Sequence, residues 1–106
     1  MKRIYLLSLL FTLLFSCQAF AYPVNGVIAL YDDSRDIIVV ETTLGYSVME
    51  MVSLRMISQD DQVVGELHSL GYHDMYDKTT GQNVRVCIDD FGLSEREVLD
   101  WIKDHL

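Results

Sequence analysis

Residues 83–89 read NVRVCID, and this stretch indicates the fold class most clearly. Val84, Val86 and Ile88 fall on one parity, whereas charged or polar residues and one cysteine fall on the other. Because successive side chains of a strand point to opposite faces, this alternation predicts a β-strand with one buried face and one face in water.

The segment that follows this strand carries the pattern of a helix. Ser94 precedes it and Glu97 comes three residues later, which is the spacing of a capping box. The sequence therefore predicts a C-terminal helix over residues 94–105 that docks on a sheet. Its predicted apolar stripe comprises Val98, Leu99, Ile102 and Leu106, with Trp101 on the flank.

Upstream of residue 83 the chain consists of short apolar runs separated by turn residues, with no alternation of strands and helices. We predict strands at residues 26–31, 36–42, 46 to about 51, 62–68 and 71–76. Residues 49–57 are ambiguous, since they also fit a helical period. The fold class is mainly β: a small antiparallel sheet or barrel, of OB or SH3-like size, with about six short strands and one C-terminal α-helix.

One part of this strand region resembles a known fold. The order D-x-V-x-G at residues 61–65, then Tyr76-Asp77-x-x-Thr80-Gly81 and an alternating strand, resembles periplasmic OB-fold proteins. The resemblance covers about a third of the chain after residue 21 and rests on common strand and turn residues. A terminal helix is not where that fold keeps its helix, so no family is assigned.

The first 21 of the 106 residues have the pattern of a secretory signal peptide. A basic start, Met1-Lys2-Arg3, leads into an apolar run and then into the small residues Ala19 and Ala21. The apolar run is shorter than the ~20 residues that a membrane-spanning helix needs. We expect cleavage near Ala21 and export, periplasmic or secreted, of a single small β-rich domain over residues 22–106.

An alternative processing route stays open. Leu14-Phe15-Ser16-Cys17 resembles the lipobox of bacterial lipoproteins, in which the cysteine is acylated and becomes the first residue. Phe15 is bulky for that pattern, and no flexible tether follows Cys17. A soluble product that begins at Tyr22 is therefore favoured over a lipoprotein anchored through Cys17.

Residues 22–106 are strongly acidic, with six basic and sixteen acidic side chains and a formal charge of −10. This balance disfavours nucleic acid and anionic membranes as partners and points to a basic protein. Cys87 is the one cysteine left after cleavage, so no internal disulfide forms. The sequence does not decide between a free thiol and an intermolecular bridge for it, nor does it indicate the oligomeric state.

No catalytic motif, metal site or cofactor site is predicted, and we expect a protein that is not an enzyme. His68, His73, Asp74 and Asp77 offer ligand atoms, but their spacing matches neither the H-E-x-x-H pattern nor a zinc finger. Histidines at strand edges are the simpler interpretation.

One set of aromatic residues suggests a recognition surface, because Tyr72 and Tyr76 share a strand parity. The predicted binding residues are Tyr46, His68, Tyr72 and Tyr76. The sequence as a whole indicates an exported, small, non-catalytic binding module of unknown ligand. The alternative is an acidic inhibitor or immunity-type protein that neutralises a basic envelope or secreted hydrolase.

Overall fold

The computed structural model describes residues 23–106. The predicted signal peptide, the alternative lipidation at Cys17 and the expected first residue Tyr22 lie outside the described residues, and all three stay predictions. The described chain forms β1 (Val24–Asp32), β2 (Ile37–Thr42), β3 (Gly45–Met51), β4 (Gln62–Gly65), β5 (Gly71–Asp77), β6 (Gln82–Leu93) and α1 (Glu95–His105).

The strands form two three-stranded meanders, β1–β2–β3 and β4–β5–β6, in which each strand pairs antiparallel with the next. Pairing of β1 with β4 and of β3 with β6 joins the meanders at both edges, so the sheet closes into a barrel of order β1-β2-β3-β6-β5-β4. Closure leaves no unpaired edge among these strands. The predicted fold class, mainly β with one C-terminal helix, is confirmed. Of the two predicted architectures, an open antiparallel sheet and a barrel, the protein forms the barrel.

The interior of the barrel is filled by inward-pointing apolar side chains from all six strands. On β6 these are Val84, Val86 and Ile88, so the predicted alternation is confirmed. Burying one such side chain fully contributes ~1.5–3 kcal/mol, which makes this cluster the main source of stability. Its buried members are Ile28, Ile38, Val40, Met49, Met51, Ile57, Val63, Leu67, Met75, Val84, Val86 and Ile88.

A second apolar cluster lies outside the barrel wall, beneath α1. Val39 and Val48 point outward from β2 and β3 and pack with Leu93 and Val98. This explains why residues 36–42 are apolar on both parities: one set of side chains fills the barrel and the other lies under the helix. Both hydrogen bonds of the predicted capping box, between Ser94 and Glu97, are present.

The predicted apolar stripe of α1 is partly wrong. Val98 is buried and Ile102 half-buried against the second cluster, as expected, but Leu99 is 51% exposed and Leu106 is also exposed. Trp101, predicted on the flank, takes part in the contact instead. Residues at i, i+3 and i+4 share one helix face, so 98, 101 and 102 form the narrow strip that touches the barrel.

The ends of β4 and β6 differ most from those that the sequence predicts, whereas the end of β3 agrees with the prediction. β3 ends at Met51 and residues 52–61 are irregular, so the helical alternative for residues 49–57 is wrong. β4 ends at Gly65 rather than at 68, because the Leu67 N–H donates back to the Gly65 carbonyl (2.9 Å) in a tight turn that buries Leu67. β6 continues past Asp89 to Leu93, with register shifts along β3.

Candidate binding surface

The outer face of β5 and β6 carries a compact group of polar and aromatic side chains beyond the area that α1 covers. The antiparallel register places Tyr72 beside Cys87, Asp74 beside Arg85 and Tyr76 beside Asn83. We refer to these six residues as the tyrosine face. Glu50, exposed on β3, extends the face by one further strand because it pairs with Cys87.

Both tyrosines of this face are exposed and lie on the same side of β5. Four residues at about 3.3 Å each separate their backbones by about 13 Å, with Asp74 between them. A tyrosine offers a large apolar ring and a hydroxyl with few rotatable bonds, which suits it to recognition surfaces.

Arg85 links Asp74, in the middle of the face, to Tyr72 at one end. Its Nη1 lies 3.2 Å from Asp74 Oδ1, and its guanidinium carbon lies 5.9 Å from the centre of the Tyr72 ring. The exposed ion pair contributes little to stability in water. Its consequence is geometric, because the ion pair and the cation–π contact together hold the Arg85 head over the sheet.

A second surface adjoins the tyrosine face where the chain leaves β3. Residues 52–56, which we call the apolar loop, are tied to β6 by three hydrogen bonds: Val52 N–H to the Arg85 carbonyl (2.9 Å), Arg85 N–H to Ser53 Oγ (2.9 Å) and Arg55 Nε to the Asn83 carbonyl (3.2 Å). On this tethered backbone Leu54 is 93% exposed and Met56 is 85% exposed. The loop therefore holds two large apolar side chains in water.

Sequence reasoning missed the apolar loop. The available signal was that residues 49–57 satisfy neither the strand period nor the helix period throughout, although they are rich in large apolar residues. Neither period shows which side chains stay exposed.

An open cleft of about 560 Å³ runs between the apolar loop and the β1–β2 turn, and Leu54 and Met56 form part of its wall. Asp33 and Asp36 line its acidic side, and neither makes an ion pair with any residue in 23–106. Burial raises the pKa of the Tyr31 hydroxyl in the same cleft, and the negative charges of Asp36 and Asp33 raise it further. The cleft therefore combines apolar walls with two carboxylates and with the guanidinium of Arg55.

The four residues predicted for binding do not form one group. Tyr72 and Tyr76 share the tyrosine face, whereas Tyr46 packs into the cluster beneath α1. Burial raises the pKa of Tyr46, and the negative charges of Glu41 and Glu95 raise it further.

His68 lies in the β4–β5 loop, away from the tyrosine face. Its Nε2 is 2.9 Å from Thr42 Oγ1 and its ring is 5.6 Å from that of Phe91. Burial lowers the pKa of His68, which favours the neutral form of the ring. The first contact ties the β4–β5 loop to the β2–β3 hairpin, and the second ties it to the end of β6.

The remaining ligand-type side chains are placed apart. His73 Nδ1 lies 3.4 Å from Glu66 Oε2 and its Nε2 lies 3.2 Å from the Leu70 carbonyl, while Asp74 pairs with Arg85 and Asp77 is buried. Between Pro23 and Leu106 no three His, Cys, Asp or Glu side chains are grouped so that they could hold a metal ion. Nor does that part of the chain contain a helix with the length and apolar character needed to cross a bilayer.

Comparison of the chain with protein-family models, with curated proteins and with solved structures finds no match in any of the three.

Proposed function

We propose that this protein is a small, exported, non-catalytic binding module that binds a basic protein through the tyrosine face and the apolar loop together. The observation that carries the proposal is the exposure of Leu54 and Met56 on a backbone tied to β6, the strand that also pairs with β5, which carries Tyr72 and Tyr76. In this proposal the module acts outside the cytoplasm, after cleavage near Ala21.

The exposed apolar side chains supply the attraction. Removing Leu54 or Met56 from water contributes ~1.5–3 kcal/mol per side chain if the burial is complete. Protein interfaces are enriched in Tyr, Met and Arg relative to other surfaces, and the two adjoining surfaces contain all three types. Because the loop backbone is already hydrogen-bonded to β6, binding costs less conformational entropy than ordering a free loop would.

The charge distribution favours a basic partner. Glu50 and Asp74 lie on the sheet side of the surface, and Asp33 and Asp36 line the cleft beside the loop. Arg85, which pairs with Asp74, and Arg55 in the cleft wall offset part of this negative charge. The formal charge of −10 over residues 22–106 adds a long-range field that speeds encounter with a cationic surface and repels phosphate backbones.

The test is to capture a partner with residues 22–106 and to measure its dissociation constant for L54S/M56S and for a matched control, Leu44→Ser. Leu44 is exposed in the β2–β3 turn, away from the loop. We expect the double variant to bind at least about tenfold more weakly, which corresponds to 1.4 kcal/mol, and L44S to bind as wild type does. Equal binding by all three proteins would refute the proposed surface.

Salt dependence tests the charge component separately. The association rate with the captured partner should fall steeply as ionic strength rises, since screening shortens the range of the acidic field. A partner with an acidic surface, or a rate indifferent to salt, would contradict the proposal. If the partner is a basic hydrolase that loses activity on binding, the module acts as an inhibitor.

A further inference from the structure

Two carboxyl groups are buried together at the end of the barrel where the loop of residues 52–61 joins β4. Asp77, at the end of β5, is 0% exposed, and Asp61, just before β4, is 6% exposed. The pairing of Val63 with Asp77 brings the two side chains to the same end of the barrel, within hydrogen-bonding reach of each other.

The hydrogen bonds of the pair leave one oxygen unmatched. Asp77 Oδ1 accepts the backbone N–H groups of Thr79 (2.9 Å) and Thr80 (3.1 Å), and Asp61 Oδ2 accepts the N–H of Ser58 (3.1 Å). Asp77 Oδ2 is buried and, among the residues of the described range, has no donor. Two carboxylates cannot hydrogen-bond to each other, whereas a carboxylic acid and a carboxylate can.

The elements around the pair supply no compensating positive charge. Lys78, in the β5–β6 turn, directs its Nζ to Asn25 Oδ1 (2.9 Å), and Asp60, in the loop, is exposed and adds only negative charge. Within residues 23–106 no Lys, Arg or His forms an ion pair with either buried carboxyl. The other side chains close to the pair on β4, β6 and the turn, those of Gln62, Gln82, Thr79 and Thr80, are neutral.

Asp61 also anchors the loop to β1. The Ile28 N–H donates to the Asp61 carbonyl (2.9 Å), and the Asp60 N–H donates to the Ile28 carbonyl (2.8 Å). The Asp61 side chain holds Ser58 in the same turn. A displacement of Asp61 therefore releases the end of the segment that carries Leu54 and Met56.

We infer that Asp77 holds a proton that it shares with Asp61 in a hydrogen bond, and that loss of this proton loosens residues 57–61, so that pH controls how firmly the far end of the apolar loop is held. The regulatory role of this pair rests on the proposed function of that loop. The shared proton itself follows from the burial and the contacts of the two carboxyls.

The direction of the pH effect follows from the environment of Asp77. Burial raises its pKa above the usual value of 3.8, the neighbouring Asp61 raises it further, and the N–H groups of Thr80 and Thr79 oppose the rise only in part. The folded protein thus binds the proton more tightly than the unfolded chain does. The contribution that protonated Asp77 makes to the free energy of unfolding is fully present below pH 3.8, and it is lost as the pH rises through the raised pKa of Asp77.

The test compares urea unfolding of residues 22–106 as wild type, Asp77→Asn and Asp89→Asn between pH 3.5 and 8. An asparagine keeps the acceptor for Thr79 and Thr80 and adds an amide that donates to Asp61. Between pH 3.5 and 8 the folding equilibrium constant of wild type, divided by that of D77N, should fall. The total fall should be about tenfold for each pH unit by which folding raises the pKa of Asp77. D89N, which removes an exposed carboxylate, should follow wild type.

Two further readouts use wild type and D77N without any partner. An Asp77 carboxyl that titrates by NMR at an ordinary aspartate pKa overturns the proposal, and this measurement stands even if D77N does not fold. Amide exchange at Ser58 and Asp60, corrected for intrinsic rates, should accelerate with pH in wild type only. Unchanged protection there overturns the control of the loop, while the binding tests of L54S/M56S decide the proposed function independently.

Discussion

Replacing Val98 with alanine tests whether the second apolar cluster, between α1 and the barrel wall, stabilises the protein. Val98, on the face of α1 that meets the barrel, is 4% exposed and packs against Val39, Val48 and Leu93. The substitution removes two methyl groups, and at ~0.8 kcal/mol for each carbon buried the lost transfer energy is about 1.6 kcal/mol. A residual cavity adds to this loss, and the better helix propensity of alanine returns up to about 0.7 kcal/mol. The expected net loss is about 1–2 kcal/mol.

The neighbouring Leu99 provides a matched control. Its side chain is 51% exposed, so Leu99→Ala should change the free energy of unfolding by no more than about 0.5 kcal/mol. Urea unfolding and thermal melts followed by circular dichroism measure both variants. In a domain of this size 1 kcal/mol corresponds to about 4–8 °C in Tm. If V98A and L99A are destabilised equally, or L99A more, the assignment of the docking face is wrong.

Removing the whole helix is the stronger perturbation. A chain that ends at Gly92 loses both Leu93 and α1, and it exposes Val39 and Val48 on the barrel wall. We expect an aggregated or unfolded product, because several buried apolar side chains are a large share of the ~5–15 kcal/mol that stabilises a typical domain. A truncated protein that melts cooperatively near the parent temperature would show that the barrel does not need the helix.

The remaining predictions concern capping, backbone conformation and processing. Ser94→Ala removes the capping-box oxygen and should cost ~0.5–2 kcal/mol in urea unfolding, and an unchanged midpoint would show that the cap contributes nothing. Gly45→Ala should destabilise more than Gly71→Ala in thermal melts. Both glycines have positive φ (112° and 93°), but a Cβ at Gly45 would lie 2.9 Å from a backbone carbon and one at Gly71 would meet nothing within 4 Å. Intact mass of the native protein should correspond to a chain that begins at Tyr22, and a lipidated chain that begins at Cys17 would contradict this.

The sequence by itself determined the features that depend on near neighbours along the chain. The alternation of residues 83–89 predicted which side of β6 is buried, and the spacing of Ser94 and Glu97 predicted where α1 begins. The mainly β class with a terminal helix followed from the same local patterns. These are reliable because strand periodicity and helix caps involve residues a few positions apart.

Tertiary structure alone decided how those elements meet. The pairing of β1 with β4 and of β3 with β6 closes the barrel, and neither pair is adjacent in sequence. Closure separates Tyr46 and His68 from Tyr72 and Tyr76, and it buries Asp77 together with Asp61, which no local pattern at either residue indicates. The exposure of Leu54 likewise depends on contacts with β6 rather than on its own segment. Contacts between distant segments depend on register and on the twist of the whole sheet, which no local period encodes.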